Sequence, residues 1–273
     1  MDHDESQALC LTETGRMKRL LEIMARLRDP DSGCPWDIEQ DFHTITRYTI
    51  EEAYEVKDAI DQKDWPGLEG ELGDLLLQVV YYAQMGRERG FFTFDSIVKA
   101  IADKMVHRHP HVFGDENRDK SADQQTRDWE KIKAEERGPA RTLDGVARAL
   151  PALTRAIKLQ KRAARVGFDW PETVQVLDKI REEADELVEA RDRLGPEKTA
   201  EEFGDLLFVM ANLARHLDVD AEAALAAAND KFTRRFNVIE DDLEEKGMVP
   251  SDSDLEEMDA LWNKAKARER GEI

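Results

Sequence analysis

Apolar residues recur along this chain at intervals of three and four, and few stretches alternate with period two. Met17, Leu20, Leu21, Met24 and Leu27 share one face of a helix that the pattern predicts from about Glu13 to Arg28. The stretch "DPDSGCPWD" (29–37), with two prolines and a glycine, ends it. Helical periodicity resumes from about Thr44 to Asp61 and from about Gly67 to Arg89, with "DQKDWP" as the turn between. Thr93 or Asp95 can cap a further helix, which stops near "HRHPHVFGD" (107–115) at Pro110 and Gly114. Residues 116–124 read as a polar loop and "QQTRDWEKIKAEER" as a short charged helix. Beyond "RGPARTLDGV" (137–146), helices are expected at about 147–165, 172–193, 197–216, 220–246 and 253–269. With strand signals nearly absent, the expected fold class is all-α.

The second half repeats the first. Glu52 and Glu55 precede Glu71 and Asp74; Glu183 and Glu186 precede Glu202 and Asp205, and in both sets the leading members lie 19 positions apart. Lys104 and Arg108 answer to Lys231 and Arg235, and Trp129 and Lys133 to Trp262 and Lys266, in the same order. Two copies of one helical domain follow: a flexible leader at 1–12, a first domain at 13–137, a linker at 138–146 and a second domain at 147–273.

Composition narrows the classes. The formal net charge of −20 disfavours stable binding to nucleic acids or membrane surfaces, which are themselves anionic. Two cysteines are too few for a disulfide framework or a thiolate zinc site. The opening "MDHDESQALC" has no apolar region behind a basic start, and no apolar run approaches the roughly 20 residues that span a bilayer. The expected location is cytoplasmic.

Side chains at i and i+3 stack on one helix face. Glu183 and Glu186 therefore project together, as do Glu202 and Asp205, and the short "RDRLGPEKT" connection implies antiparallel packing that aims all four at one point. In a chain with 60 acidic residues, one such pair is ordinarily solvated surface. Two features favour a metal site instead: the second pair runs straight into the apolar "LLFVMANLA", and the constellation recurs. Hard oxygen donors suit Mg²⁺, with Mn²⁺ able to substitute. A di-iron centre would call for Glu-x-x-His, which neither half has near these pairs. Cations for a polyphosphate are at hand: Lys179 lies one turn before Glu183, Lys198 one turn before Glu202, and Lys231 and Arg235 are one turn apart. Trp262 is either core or a stacking surface for a base, with Lys266 one turn on. The "HRHPH" run (107–111) reads as structural, since the corresponding "TRRFN" has no histidine.

The motifs "GCPWD", "TIEEAYEV", "GELGDLLLQVVYYAQM", "RHPHVFGD", "WEKIKAEER", "VGFDW" and "EEFGDLLFVMANLARH" together resemble the two-domain bacterial MazG family of nucleoside triphosphate pyrophosphohydrolases. The resemblance implies two tandem helical bundles assembled as an intertwined dimer, and Mg²⁺-dependent hydrolysis of NTPs and dNTPs to the monophosphate and pyrophosphate. It implies that Glu183, Glu186, Glu202 and Asp205 hold the metal, with Glu52, Glu55, Glu71 and Asp74 as a second, weaker set. It implies that Lys179, Lys198, Lys231, Arg235, Trp262 and Lys266 line the triphosphate and base site, and that Glu182 and Glu201 bind or activate the attacking water. Lys198 and Glu183 are counted with them as catalytic. Expected partners are nucleoside triphosphates, a second copy of the chain and a regulatory protein, in nucleotide-pool cleaning or stress control.

The positions matching Lys198 and Lys179 in the first half are Gly67 and Tyr48. The C-terminal domain is therefore expected to be catalytic and the N-terminal one structural or regulatory. Two other readings stand beside this one: a helical scaffold with relict metal sites, and a pyrophosphohydrolase acting on another substrate, as in histidine synthesis.

Overall fold

The computed structural model describes residues 3–12, 15–115, 141–271 and, between the last two, residues 119, 121, 124, 125, 128, 129, 132 and 136. Lys133 and most of the expected "QQTRDWEKIKAEER" helix lie outside them. Every described element is a helix or a helical turn, so the all-α expectation holds. The chain divides into two compact units, Met1–Glu136 and Arg137–Ile273.

The first unit comprises α1 (His3–Cys10), α2 (Met17–Leu27), α3 (Pro35–Glu39), α4 (Phe42–Gln62), α5 (Trp65–Glu88), α6 (Phe94–Arg108) and the single turn α7 (Pro110–Phe113). α1 corrects the expected flexible leader: Ser6 is buried and accepts from Arg26 Nη1 at 3.1 Å, and Arg19 Nε donates to the Cys10 carbonyl at 3.0 Å, so the segment is tied to α2. The α4–α5 hairpin forms the body of the unit. α4 starts at Asp41, whose side chain accepts from the Thr44 amide at 2.9 Å while Thr44 Oγ1 accepts from the Asp41 amide at 2.9 Å, a reciprocal cap that satisfies two amide donors. It ends at Lys63, which turns left-handed at φ 58°. α2, α4 and α5 bury Met24, Ile45, Val80, Tyr81 and Met85 between them, with Phe42 stacked on Tyr82 at 6.0 Å.

The second unit comprises α8 (Ala152–Ala164), α9 (Thr173–Glu189), a π-helical turn (Ala190–Leu194), α10 (Pro196–His216), α11 (Ala221–Glu244), a 3₁₀ turn (Pro250–Asp252) and α12 (Leu255–Glu269). The α9–α10 hairpin repeats α4–α5, and α8 packs on α10. α11 and α12 form their own hairpin around Ile239, Leu243 and Leu261. No helix among the described residues is long and apolar enough to cross a membrane.

Asp242, 5% exposed, ties α11 to α12 through Lys264 at 3.0 Å and Arg268 at 3.1 Å. Burial alone would raise its carboxyl, but the two cations outweigh burial and hold it below the ordinary range. A carboxyl lowered on folding adds stability above its unfolded pKa and loses it as pH falls through the folded value. Asp242→Asn should therefore cost about 1 kcal/mol at neutral pH, a net charged hydrogen bond discounted for its exposed partners. In urea titrations that difference should vanish in acid; a cost that persists at low pH would refute the account.

Candidate metal and phosphate centre

The hairpin geometry sets the site. Gly195, at φ 93°, closes the π-helical turn with its amide on the Ala190 carbonyl at 3.1 Å, and Pro196 opens α10 where a missing amide costs nothing. The reversal lays α10 along α9. Glu183, Glu186 and Glu202 then each present an oxygen within 4.8 Å of the others. Glu183 is 5% exposed, Glu202 half-buried and Glu186 exposed. Asp205 is exposed and is not among the three whose oxygens lie within that distance of one another.

Both lysines on these stripes reach carboxylates. Lys179 Nζ lies 2.7 Å from Glu182 and 2.7 Å from Glu183; Lys198 Nζ lies 2.8 Å from Glu201 and 3.1 Å from Glu202. Each ammonium thus spans one outer carboxylate and one member of the trio. Hydrogen bonds to Glu182 and then Glu183 hold Lys179 more firmly protonated than a free lysine, and Glu201 and then Glu202 do the same for Lys198. Glu182 and Glu201 themselves are largely exposed.

The remaining cations stand elsewhere. Arg235 forks onto Glu269 through Nε at 2.9 Å and Nη2 at 2.7 Å, and lies over the Trp262 ring at 5.4 Å. Trp262 packs at 5.3 Å from Phe232 on the Ile239–Leu243–Leu261 core. Its ring is half-buried, with Phe232 and Arg235 against it. Lys231 is exposed and Lys266 half-buried on the same hairpin. Among the described residues, no hydrogen bond, ion pair or ring contact joins Lys231, Arg235, Trp262 or Lys266 to the trio.

The first unit gathers Glu52, Glu55 and Glu71 within the same 4.8 Å, and Asp74 again stays outside the trio. Here Tyr48 and Gly67 replace the lysines. Burial first, then the charges of Asp74 and Glu55, push the Glu52 carboxyl up. Gly67 has a local cause. Asp64 caps α5 by accepting from the Gly67 amide at 3.1 Å, and a Cβ on residue 67 would stand 2.3 Å from Asp64 Oδ2. A lysine there would have to displace the cap. His109 packs edge-on against Trp129 at 5.0 Å, and no histidine belongs to a ligand cluster among the described residues.

Sequence reasoning passed over Gln160, Asp169, Asn212 and Arg215, which frame a cavity beside α10. Their signal was the polar interruption of apolar patterns in "KLQKRAARVGFDW" and "VMANLARH".

The profile of the MazG nucleotide pyrophosphohydrolase domain matches residues 40–113 and again 172–239. The chain is 52% identical over 259 residues to the nucleoside triphosphate pyrophosphohydrolase of Escherichia coli (strain K12), covering 93% of this chain and 98% of that protein. It is 43% identical to the nucleoside triphosphate pyrophosphohydrolase/pyrophosphatase MazG of Thermotoga maritima, across 91% of this chain and 95% of that one. A protein of the first name from Mycobacterium tuberculosis is 33% identical over 57% of the chain.

Glu55→Gln removes one like charge and one hydrogen bond from Glu52. The Glu52 pKa should fall toward the ordinary carboxylate value yet stay above it, because burial is the larger cause. Carbon-13 titration of the labelled carboxyl reads this directly, and an unchanged Glu52 would show that the neighbouring charge is not felt.

Proposed function

Because the chain belongs to the MazG nucleotide pyrophosphohydrolase family, we propose that it hydrolyses nucleoside triphosphates, ribo and deoxyribo and with broad base tolerance, to the monophosphate and pyrophosphate. The working centre is that of the second unit. One observation carries the reading: three oxygen ligands within 4.8 Å stand beside two lysines able to reach a polyphosphate. The first unit has the ligands without the lysines, and its role is structural or regulatory.

The donor set fits Mg²⁺, with Mn²⁺ as a substitute, since every ligand is a hard carboxylate oxygen. Glu183, Glu186 and Glu202 would hold the ion, with Asp205 as a fourth carboxylate. Bound there, the ion would neutralise charge on the phosphate oxygens and polarise the α-phosphorus.

The protein's own groups do the rest. A water oxygen bonds to the α-phosphorus as the bond from that phosphorus to its bridging oxygen breaks, and pyrophosphate leaves with the electron pair. Lys179 and Lys198 exchange their carboxylates for phosphate oxygens and stabilise the charge that builds there. That exchange frees Glu182 and Glu201, either of which can then take the proton of the attacking water. Lys231, Arg235 and Lys266 serve the outer phosphates, and Trp262 supports Arg235 from below.

A second copy of the chain completes the assembly. Phe203, Leu207 and Met210 form an exposed apolar stripe on α10, and Leu72, Leu76 and Val79 form its counterpart on α5. Such stripes favour burial against another protein surface. Light scattering should give twice the 31.3 kDa chain mass, and Leu207→Glu should shift the protein toward monomer. A monomeric wild type would overturn the dimer.

Purified protein with Mg²⁺ should release pyrophosphate across a panel of NTPs and dNTPs. Glu202→Gln with Asp205→Asn should lower kcat/KM by roughly 10²–10³-fold, the loss expected when charge stabilisation is removed. Glu71→Gln with Asp74→Asn should leave most activity in place. Equal release by the Glu202/Asp205 double variant would displace the centre, and no release from any triphosphate would favour the scaffold reading.

A further inference from the structure

One stretch of this acidic chain is wholly basic. Of 273 residues 60 are acidic, yet residues 145–168 contain no aspartate or glutamate. They carry Arg148, Arg155, Lys158, Lys161, Arg162 and Arg165. All but Arg148 belong to α8 or to the helical residue that follows it. At 3.6 residues per turn these cations of α8 fall within about a third of the helix circumference. Ala156 and Gln160, the buried residues of α8, lie on the opposite side, where α8 packs on α10. Gln160 donates there to the Phe208 carbonyl at 2.8 Å. The cationic arc therefore faces away from α10. Lys158, Lys161 and Arg165 are exposed, and Arg155 and Arg162 are half-buried.

Elsewhere, lysines meet carboxylates of their own chain: Lys57 pairs with Asp61, Lys99 with Asp103, Lys246 with Glu257 and Lys264 with Asp242. Among the described residues, neither Lys158 nor Lys161 makes a hydrogen bond or an ion pair. No acid stands three or four positions from either, where a helix supplies such partners. Like charges one turn apart destabilise a helix. The row is thus a cost that a bound anion would remove. Arg162 serves locally, donating to the Asp144 and Gly145 carbonyls.

The row sets the chemistry of what covers it. From Arg155 to Arg165 it runs about 15 Å, ten rises of about 1.5 Å. Its charges repeat once per turn, and a second helix with a glutamate every turn presents the same repeat, as flanking charges do across paired helices. A nucleic-acid strand is the poorer match, because beyond the row it meets the rest of a chain whose net charge is −20. The Debye length is about 8 Å at physiological salt, so phosphates just past either end feel that surface. An acidic helix of three turns stays within the row. Exposed ion pairs add little affinity, so an apolar anchor is needed too. Val166 and Phe168 supply one, standing exposed just past the end of α8.

We propose that this face of α8 docks an acidic helix of another protein. Carboxylates repeating every turn meet Lys158, Lys161 and Arg165, and a bulky apolar side chain packs on Val166 and Phe168. None of these residues belongs to the carboxylate–lysine centre, so the surface can be occupied without blocking it.

The probe is a fluorescein-labelled, stapled helical peptide with glutamates one turn apart along one face and a leucine at each end. Full-length protein should bind it in fluorescence anisotropy at low salt, and binding should weaken as salt rises. A peptide of the same composition with its glutamates scattered around the helix should bind at least fivefold more weakly. Lys158→Glu with Lys161→Glu should weaken binding at least tenfold, Lys158→Gln with Lys161→Gln about threefold, and Val166→Ser about threefold. Pyrophosphate release and the mass by light scattering should not change in any of them. Absence of binding to the wild type would overturn the proposal, as would equal binding of the scattered peptide or of the lysine variants. Tighter binding of a uridine oligonucleotide than of the peptide would make the face a nucleic-acid surface instead. A changed mass in the lysine variants would give it to a second copy of the chain. A fall in kcat/KM with peptide binding intact would give it to the substrate. Each of these three results also overturns the proposal.

Discussion

Carboxylates gathered on one helix hairpin repel each other, and each unit of this chain is shaped by how that repulsion is met. Two like charges about 4 Å apart near a protein surface oppose each other by roughly 4 kcal/mol. In the second unit Lys179 and Lys198 bridge into the trio from one turn away, so the cluster is partly offset by groups on its own helices. In the first unit no lysine occupies those two positions, and the Glu52 carboxyl is pushed up, by burial first and then by the charges of Asp74 and Glu55. The same backbone hairpin thus carries two electrostatic states. Under the proposed reaction, the second is the one whose lysines can exchange carboxylates for phosphates.

The origin of that difference is local. α10 begins with Gly195 and Pro196, a start that uses no side-chain cap and leaves position 198 open to a long cation. α5 begins with Asp64 capping onto the Gly67 amide, and the cap fills the space a side chain at 67 would need. A helix-start choice about 10 Å along the axis from Glu71 or Glu202, seven residues at about 1.5 Å each, bears on whether a lysine can stand at position 67 or 198. Stability of the hairpin and competence of the site are set by the same few residues.

Much of this was legible in the sequence because it is periodic. The apolar spacing located the long helices, and the i, i+3 and i, i+4 intervals placed Lys179 beside Glu183 and Lys198 beside Glu202. What escaped was aperiodic or depended on tertiary neighbours. α1 is ordered by contacts from Arg19 and Arg26 that no local pattern encodes. Asp205 falls outside the trio, which spacing alone does not show. The contacts of Phe232 and Arg235 with Trp262 come from other turns and another helix. Gln160 and Asn212 sit on different helices, and only folding brings both to the lining of one cavity.

α10 connects these features. It is one unbroken helix of 21 residues, with carboxylates and a lysine in its first half and an aromatic ring, an amide and an arginine in its second. One continuous helix fixes the interval between the two halves. The Arg215–Asp169 pair belongs to this frame: it anchors the "GFDW" segment to the end of α10 and locks the Asn212 amide in the same step. Asp169 is held below the ordinary carboxylate range, chiefly by its hydrogen bond to Arg215, so the lock persists well into acid.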